Sequence, residues 1–150
     1  MNVEPHKAYN AGGKQALING ISGNNKRYGD KEWLGFSGDD VEITIDFENP
    51  TEINSISTRF YNGNGQWIYA PKEVTLFFKL NDGRTILSKT KIETNNNLVK
   101  TIIISTKEMI PKNIKVDYVK ITILNYGVIP DGKQGAGHKA WTFIDEIIVQ

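Results

Sequence analysis

Cysteine is absent from all 150 residues, which excludes a disulfide framework and any thiolate metal site. The fold must be held by its apolar core or by an oxygen-ligated ion. Histidine is nearly absent as well. His6 and His138 are the only two, too few to assemble a histidine-rich zinc centre. No apolar run approaches the roughly 20 residues that a membrane-spanning helix needs. No sign of charge prevails: 18 Lys and Arg against 17 Asp and Glu leave a formal net charge of +1. The chain as a whole therefore has no strong field for a polyanion, and nucleic acid is not an expected partner. Lack of cysteine is compatible with export and with the cytosol alike. No charged-then-apolar leader precedes Val3, so any signal peptide lies outside this sequence.

What is present is alternation. In 41–47, Val41, Ile43, Ile45 and Phe47 share one parity while Glu42, Thr44 and Asp46 take the other, the pattern of a half-buried strand. Similar stretches follow at 56–60, 74–80, 99–105, 118–124 and 142–149, separated by Gly, Asn, Asp and Pro. Asn81-Asp82-Gly83-Arg84 reads as a hairpin turn, because Asp-Gly readily supplies positive φ angles. Nothing longer than a turn or two has helical period. The class is all-β, and strands with one apolar parity must bury it against a second sheet, which makes a sandwich or jelly roll. A chain of 150 residues is sized for one domain, here 1–150 with a core of about 9–149.

Two connections, 9–40 and 125–141, are too long and Gly-rich for simple turns. They carry Trp33, Phe36, Tyr126, His138 and Trp141, and loops of such length in compact domains are usually functional or disordered. Their aromatic content favours function.

Gly12-Gly-Lys-Gln-Ala-Leu-Ile-Asn-Gly20, then Trp33-Leu-Gly-Phe-Ser-Gly-Asp-Asp40 and the strand after it, resemble the opening of a discoidin-like domain, also called a coagulation-factor type C domain. Trp67-Ile-Tyr-Ala-Pro-Lys-Glu-Val74 with the Asp82-Gly83 turn is similar to the family's middle strands. Gly135-Ala-Gly-His-Lys-Ala-Trp-Thr-Phe-Ile-Asp-Glu-Ile147 resembles its closing strand. The wording is closest to family 32 carbohydrate-binding modules and to the C-terminal domains of bacterial family 20 glycoside hydrolases, the β-hexosaminidases. The resemblance implies an eight-stranded antiparallel jelly-roll sandwich with a ligand site on loops at one end. It further implies a structural calcium ion, an attached catalytic domain in a longer precursor, a monomer, and an extracellular, cell-surface or periplasmic location.

In the family, the loop after the Ala-Leu-x-Asp-Gly motif supplies calcium with oxygens and a Glu near the C-terminus completes the shell. The matching residues are Ala16, Asn19, Ser22 and Glu146. Asn19 stands where Asp is common, so one formal charge is missing from the site. A sugar offers a face of C–H groups and a rim of hydroxyls, and its site needs an aromatic platform beside hydrogen-bonding groups. Arg59, Tyr61, Gln66 and His138 are the candidate ligand residues, with Trp33 a further platform that in the family motif is commonly structural. Trp67 and Trp141 begin or abut strands, where a large aromatic more often packs than binds.

No catalytic constellation emerges. Asp145 and Glu146 are neighbours in a strand and are expected on opposite faces, and Asp39-Asp40 lie at a strand entrance. The expected function is a non-catalytic module for galactose- or N-acetylhexosamine-type glycans, accessory to a secreted glycoside hydrolase. The alternative is a protein- or membrane-adhesion domain. Its protein form would use Arg59, Tyr61 and Tyr69, while the polar 62–66 tip disfavours a membrane.

Overall fold

The computed structural model describes residues 1–10, 12–93 and 95–150, which form eight β-strands in two antiparallel four-stranded sheets. The strands are β1 (Leu34–Ser37), β2 (Val41–Thr51), β3 (Ser55–Tyr61), β4 (Glu73–Leu80), β5 (Thr85–Lys91), β6 (Val99–Ser105), β7 (Val116–Leu124) and β8 (Trp141–Val149). One sheet has the order β1-β8-β3-β6, the other β2-β7-β4-β5. This is the all-β sandwich expected from the alternation, with the strand number the family resemblance implied.

Parity decides what is buried. Val74, Leu76 and Phe78 of β4 face the other sheet, in register with Ile123, Ile121 and Val119 of β7, and all six are buried. Ile56, Phe60, Ile144 and Ile147 meet them from the opposite sheet in the same core. Each such side chain contributes about 1.5–3 kcal/mol through burial. The β4–β5 hairpin turns at Asp82-Gly83: Gly83 takes φ +89°, and its N–H donates to the Leu80 carbonyl at 3.0 Å. Two strands lie outside the stretches read from the sequence. β1 is four residues long and buried through Leu34, Gly35 and Phe36, whereas β5 is a largely exposed edge strand.

β8 contains the irregularity that matters most. Thr58 of β3 faces Ile147 and Phe60 faces Ile144, so Arg59 stands opposite two residues, Asp145 and Glu146. This β-bulge resets the alternation. Ile144 and Ile147 both reach the main core, and both carboxylates turn to the segment lying over this sheet. The expectation that Asp145 and Glu146 point to opposite faces is thereby corrected. The overlying segment brings Trp33, with Tyr9 and Tyr28, against Tyr61, Ile68 and Phe143 as a second apolar cluster. The first long connection is thus mostly a packed layer over the sheet.

Candidate functional site

The connections 62–72 and 125–140 and the described residues 92–93 and 95–98 gather at one end of the sandwich, and hydrogen bonds stitch them together. Asn62 Nδ2 donates to the carbonyls of Asn95 (3.2 Å) and Asn97 (3.1 Å), and its Oδ1 accepts from the Ala70 N–H at 3.2 Å. Asn64 Nδ2 donates to the Ile68 carbonyl at 3.1 Å. The Trp141 N–H donates to the Trp67 carbonyl at 2.9 Å, and the Tyr69 N–H to the Trp141 carbonyl at 3.1 Å, fixing this loop to the start of β8. In the last loop, Asn125 Nδ2 donates to the Ala140 carbonyl and to Thr142 Oγ1.

Within this frame Asn64–Gln66 form a short 3-10 turn, and Trp67 closes it in the left-handed conformation at φ +62°. A bulky residue there costs about 1–3 kcal/mol and persists only where its surroundings over-determine it. The outcome is an indole left 38% exposed and stacked on the His138 imidazole, centroids 4.5 Å apart and planes 16° from parallel. Gly135 permits the stack, since a Cβ at that position would lie 2.6 Å from the indole Cγ. Gln66, next in chain, lines a cleft of about 110 Å³ with Tyr9, Ile68, Trp141 and Phe143. His6 and Tyr9 meet the Trp141 ring edge-on at 5.2 and 5.6 Å. The His6 N–H donates to the Gly35 carbonyl, so the N-terminal segment is part of this surface.

Of the sequence-derived ligand residues, His138 stacks on Trp67, while Gln66 precedes Trp67 in the chain and lines the neighbouring cleft with Tyr9 and Trp141. The other three lie elsewhere and are corrected. Trp33 is 0% exposed and Tyr61 only 3%, because the overlying segment presses both into the second cluster with their rings edge-on at 5.4 Å. Burial also holds the Tyr61 phenol above its usual pKa, with Tyr28 adding to the shift. The Arg59 guanidinium is held by Asp145 at 3.2 Å, the Gly23 carbonyl at 3.3 Å and the Asn25 carboxamide, and it lies over the Trp33 ring. It is a structural cation. Conversely, Trp67 belongs to the exposed surface and not to the packing assigned to it. No local pattern announced this, because the groups beside the indole, Gly135 and His138, come from a distant loop.

Around Glu146 the hydrogen bonds run opposite to what a calcium ion requires. Its carboxylate oxygens accept the main-chain N–H groups of Gly20 (3.2 Å) and Ile21 (3.1 Å). Asn19 Oδ1 accepts from the Ile21 N–H, which aims its Nδ2 at Glu32 Oε2, 2.9 Å away. Asp145 accepts from the N–H groups of Gly23 (2.8 Å) and Glu146 (2.6 Å). Ala16 is buried in the core, and Ser22 is exposed. Calcium takes six to eight oxygens, whereas N–H donors converge here. Among the described residues no three His, Asp or Glu are grouped so as to hold a metal ion. This donor set does not fit a calcium ion; it is a clasp in which two carboxylates cap a loop. Burial raises the pKa of both Asp145 and Glu146 against the opposing effect of the N–H groups, and a neighbouring carboxylate adds to each rise.

No curated protein matches the chain in sequence. Among solved structures it is similar to one described as a family 16 carbohydrate-binding module, with TM-score 0.45 and 10% identity over 82% of this chain and 79% of that one. The family described as F5/8 type C domain matches residues 4–147. With that match running nearly end to end over two antiparallel sheets, the chain belongs to the F5/8 type C, or discoidin-like, domain family.

Proposed function

We propose that the chain is a non-catalytic carbohydrate-binding module that takes a neutral galactose- or N-acetylhexosamine-type sugar on the surface made by Trp67, His138 and Gln66. The observation that carries this reading is the exposed Trp67–His138 stack, whose indole is set by a left-handed backbone conformation. A planar apolar face with polar groups at its rim matches the C–H face and hydroxyl rim of a pyranose. An attached glycoside hydrolase, such as a β-hexosaminidase, would gain a high local concentration on its glycan from such a module. That accessory role, and the location outside the cytoplasm that goes with it, rest on the likeness of the sequence motifs taken together to domains joined to such enzymes.

Catalysis finds no support in the two carboxylates that the bulge brings together. Asp145 and Glu146 are buried under main-chain donors, away from the exposed surface. The adhesion alternative loses its protein-binding cluster, since Tyr61 and Tyr69 are buried and Arg59 is committed to Asp145.

Titration with galactose- and N-acetylhexosamine-terminated oligosaccharides tests the proposal. Wild type should bind, and Trp67→Ala or His138→Ala should weaken binding roughly ten-fold or more, the scale of a lost stacking partner. Thermal unfolding should be unchanged in His138→Ala. Absence of binding to any neutral sugar, or wild-type affinity in Trp67→Ala, overturns it.

A further inference from the structure

On another side of the same β3–β4 loop lies a cavity of about 390 Å³, whose wall includes Asn62, Tyr69, Lys72, Lys91, Lys100 and Tyr126. It shares no lining residue with the cleft beside Gln66. Its volume falls within the range of small-molecule sites, roughly 300–1,000 Å³. Four lysines line it, Lys72, Lys91, Lys100 and Lys133, against a single carboxylate residue, Glu93. Among the described residues none of the four makes an ion pair; the ion-paired basic residues are Lys31, Arg59, Arg84, Lys89 and Lys120.

Three of these ammonium groups are placed by the fold. Lys100 is 6% exposed, and its Nζ donates to the Glu93 carbonyl at 3.0 Å and to the Asn95 carboxamide, both neutral oxygens. Burial accordingly pulls its pKa down, with Glu93 pushing the other way. Lys133 Nζ sits 5.9 and 5.5 Å from the ring centroids of Tyr69 and Tyr126, which stack on each other at 4.7 Å, and it is 3.2 Å from the Tyr126 hydroxyl. Lys72 Nζ rests against Gly127, where a Cβ would come within 3.2 Å of it. Positive charge is thus concentrated in a concave, aromatic-walled space, although the chain as a whole is nearly neutral. Walls of low dielectric sharpen such a local field.

We propose that this cavity is a second binding site, specific for a glycan residue carrying a carboxylate or sulfate group. The half-buried Tyr126 ring supplies a face for the sugar, and the lysines receive the acidic substituent. An ammonium is a compact point charge with three donors, so it serves either anion. The site stands independently of the neutral-sugar surface around Trp67.

Calorimetry with three oligosaccharides of equal length, one uronate-bearing, one sulfated and one uncharged, tests the proposal on wild type, Lys72→Glu, the Lys72→Glu/Lys91→Glu pair and Trp67→Ala. At least one charged oligosaccharide should bind ten-fold or more tightly than the uncharged one at about 0.05 M salt, and lose most of that advantage at about 0.5 M, where screening is short-ranged. The double variant should abolish the preference while unfolding at the wild-type temperature, because Lys72 and Lys91 are exposed. Trp67→Ala should keep it. Whichever charged arm binds identifies the substituent. Equal affinity for charged and uncharged sugars, an unaltered double variant, loss in Trp67→Ala, or tighter capture of a single-stranded oligonucleotide than of either acidic sugar would each overturn the second site. A neutral-sugar failure alone would leave it standing.

Discussion

Asp145 shows how much one side chain can hold. Its carboxylate is 0% exposed and satisfies the Gly23 N–H, the Glu146 N–H and the Arg59 guanidinium together. Removing one partner of a buried pair leaves an uncompensated charge, at a cost of about 3–5 kcal/mol. Asp145→Ala should therefore lower the urea-unfolding free energy by about that amount. Arg59→Ala should do the same, and the double variant should cost much less than the sum. Additive losses would show that the two groups act separately. Gly23 belongs to the same assembly, since a Cβ there would stand 2.4 Å from Trp33 Nε1, which donates to the Asn24 carbonyl. Gly23→Ala should depress the melting temperature by several degrees, whereas Gly29→Ala, where nothing lies within 4 Å, should not. Arg59 was legible as a functional cation only in residue type. Its partner became visible once the bulge had turned Asp145 toward it.

At the scale of elements, six strands were announced by alternation or by runs rich in Val, Ile, Thr and Phe between turn residues; where one face is wet, as in β4, parity is written into the chain. β1 and β5 escaped for different reasons. The first is only four residues long and buried through three of them, and in the second the exposed Leu87 follows the half-buried Ile86, so the apolar residues do not alternate although the burial does. The bulge in β8 left no mark in composition, since Asp-Glu in a strand reads as an ordinary two-residue step. Yet it creates the clasp with 19–23. Because that clasp is closed by N–H donors, a chelator should leave the melting temperature unchanged, and added calcium should raise it by no more than a degree or so. A calcium-dependent rise of several degrees would mean that the loop's oxygens turn inward around an ion.

For the whole molecule, the two clasp carboxylates set an unusual response to acid. Both have folded pKa values above their ordinary ones, 3.8 for Asp145 and 4.5 for Glu146, so the stability linked to each is fully present below that ordinary value and is lost as pH rises through the raised one. Relative to Glu146→Gln, wild type should thus gain stability as pH falls from 7 toward 4.5. Melting curves of both proteins across that interval would show it, and a wild-type advantage that shrinks on acidification would refute the assignment. By itself the sequence determined the all-β class, the hairpin at Asp82-Gly83 and the near-neutral overall charge, since each follows from local pattern or from a sum over residues. Only the tertiary structure decided that Trp33 and Tyr61 are covered, that Trp67 is open, and that four lysines from separate loops share one cavity. Exposure and convergence depend on what the rest of the chain lays beside a residue, and no local pattern carries that information.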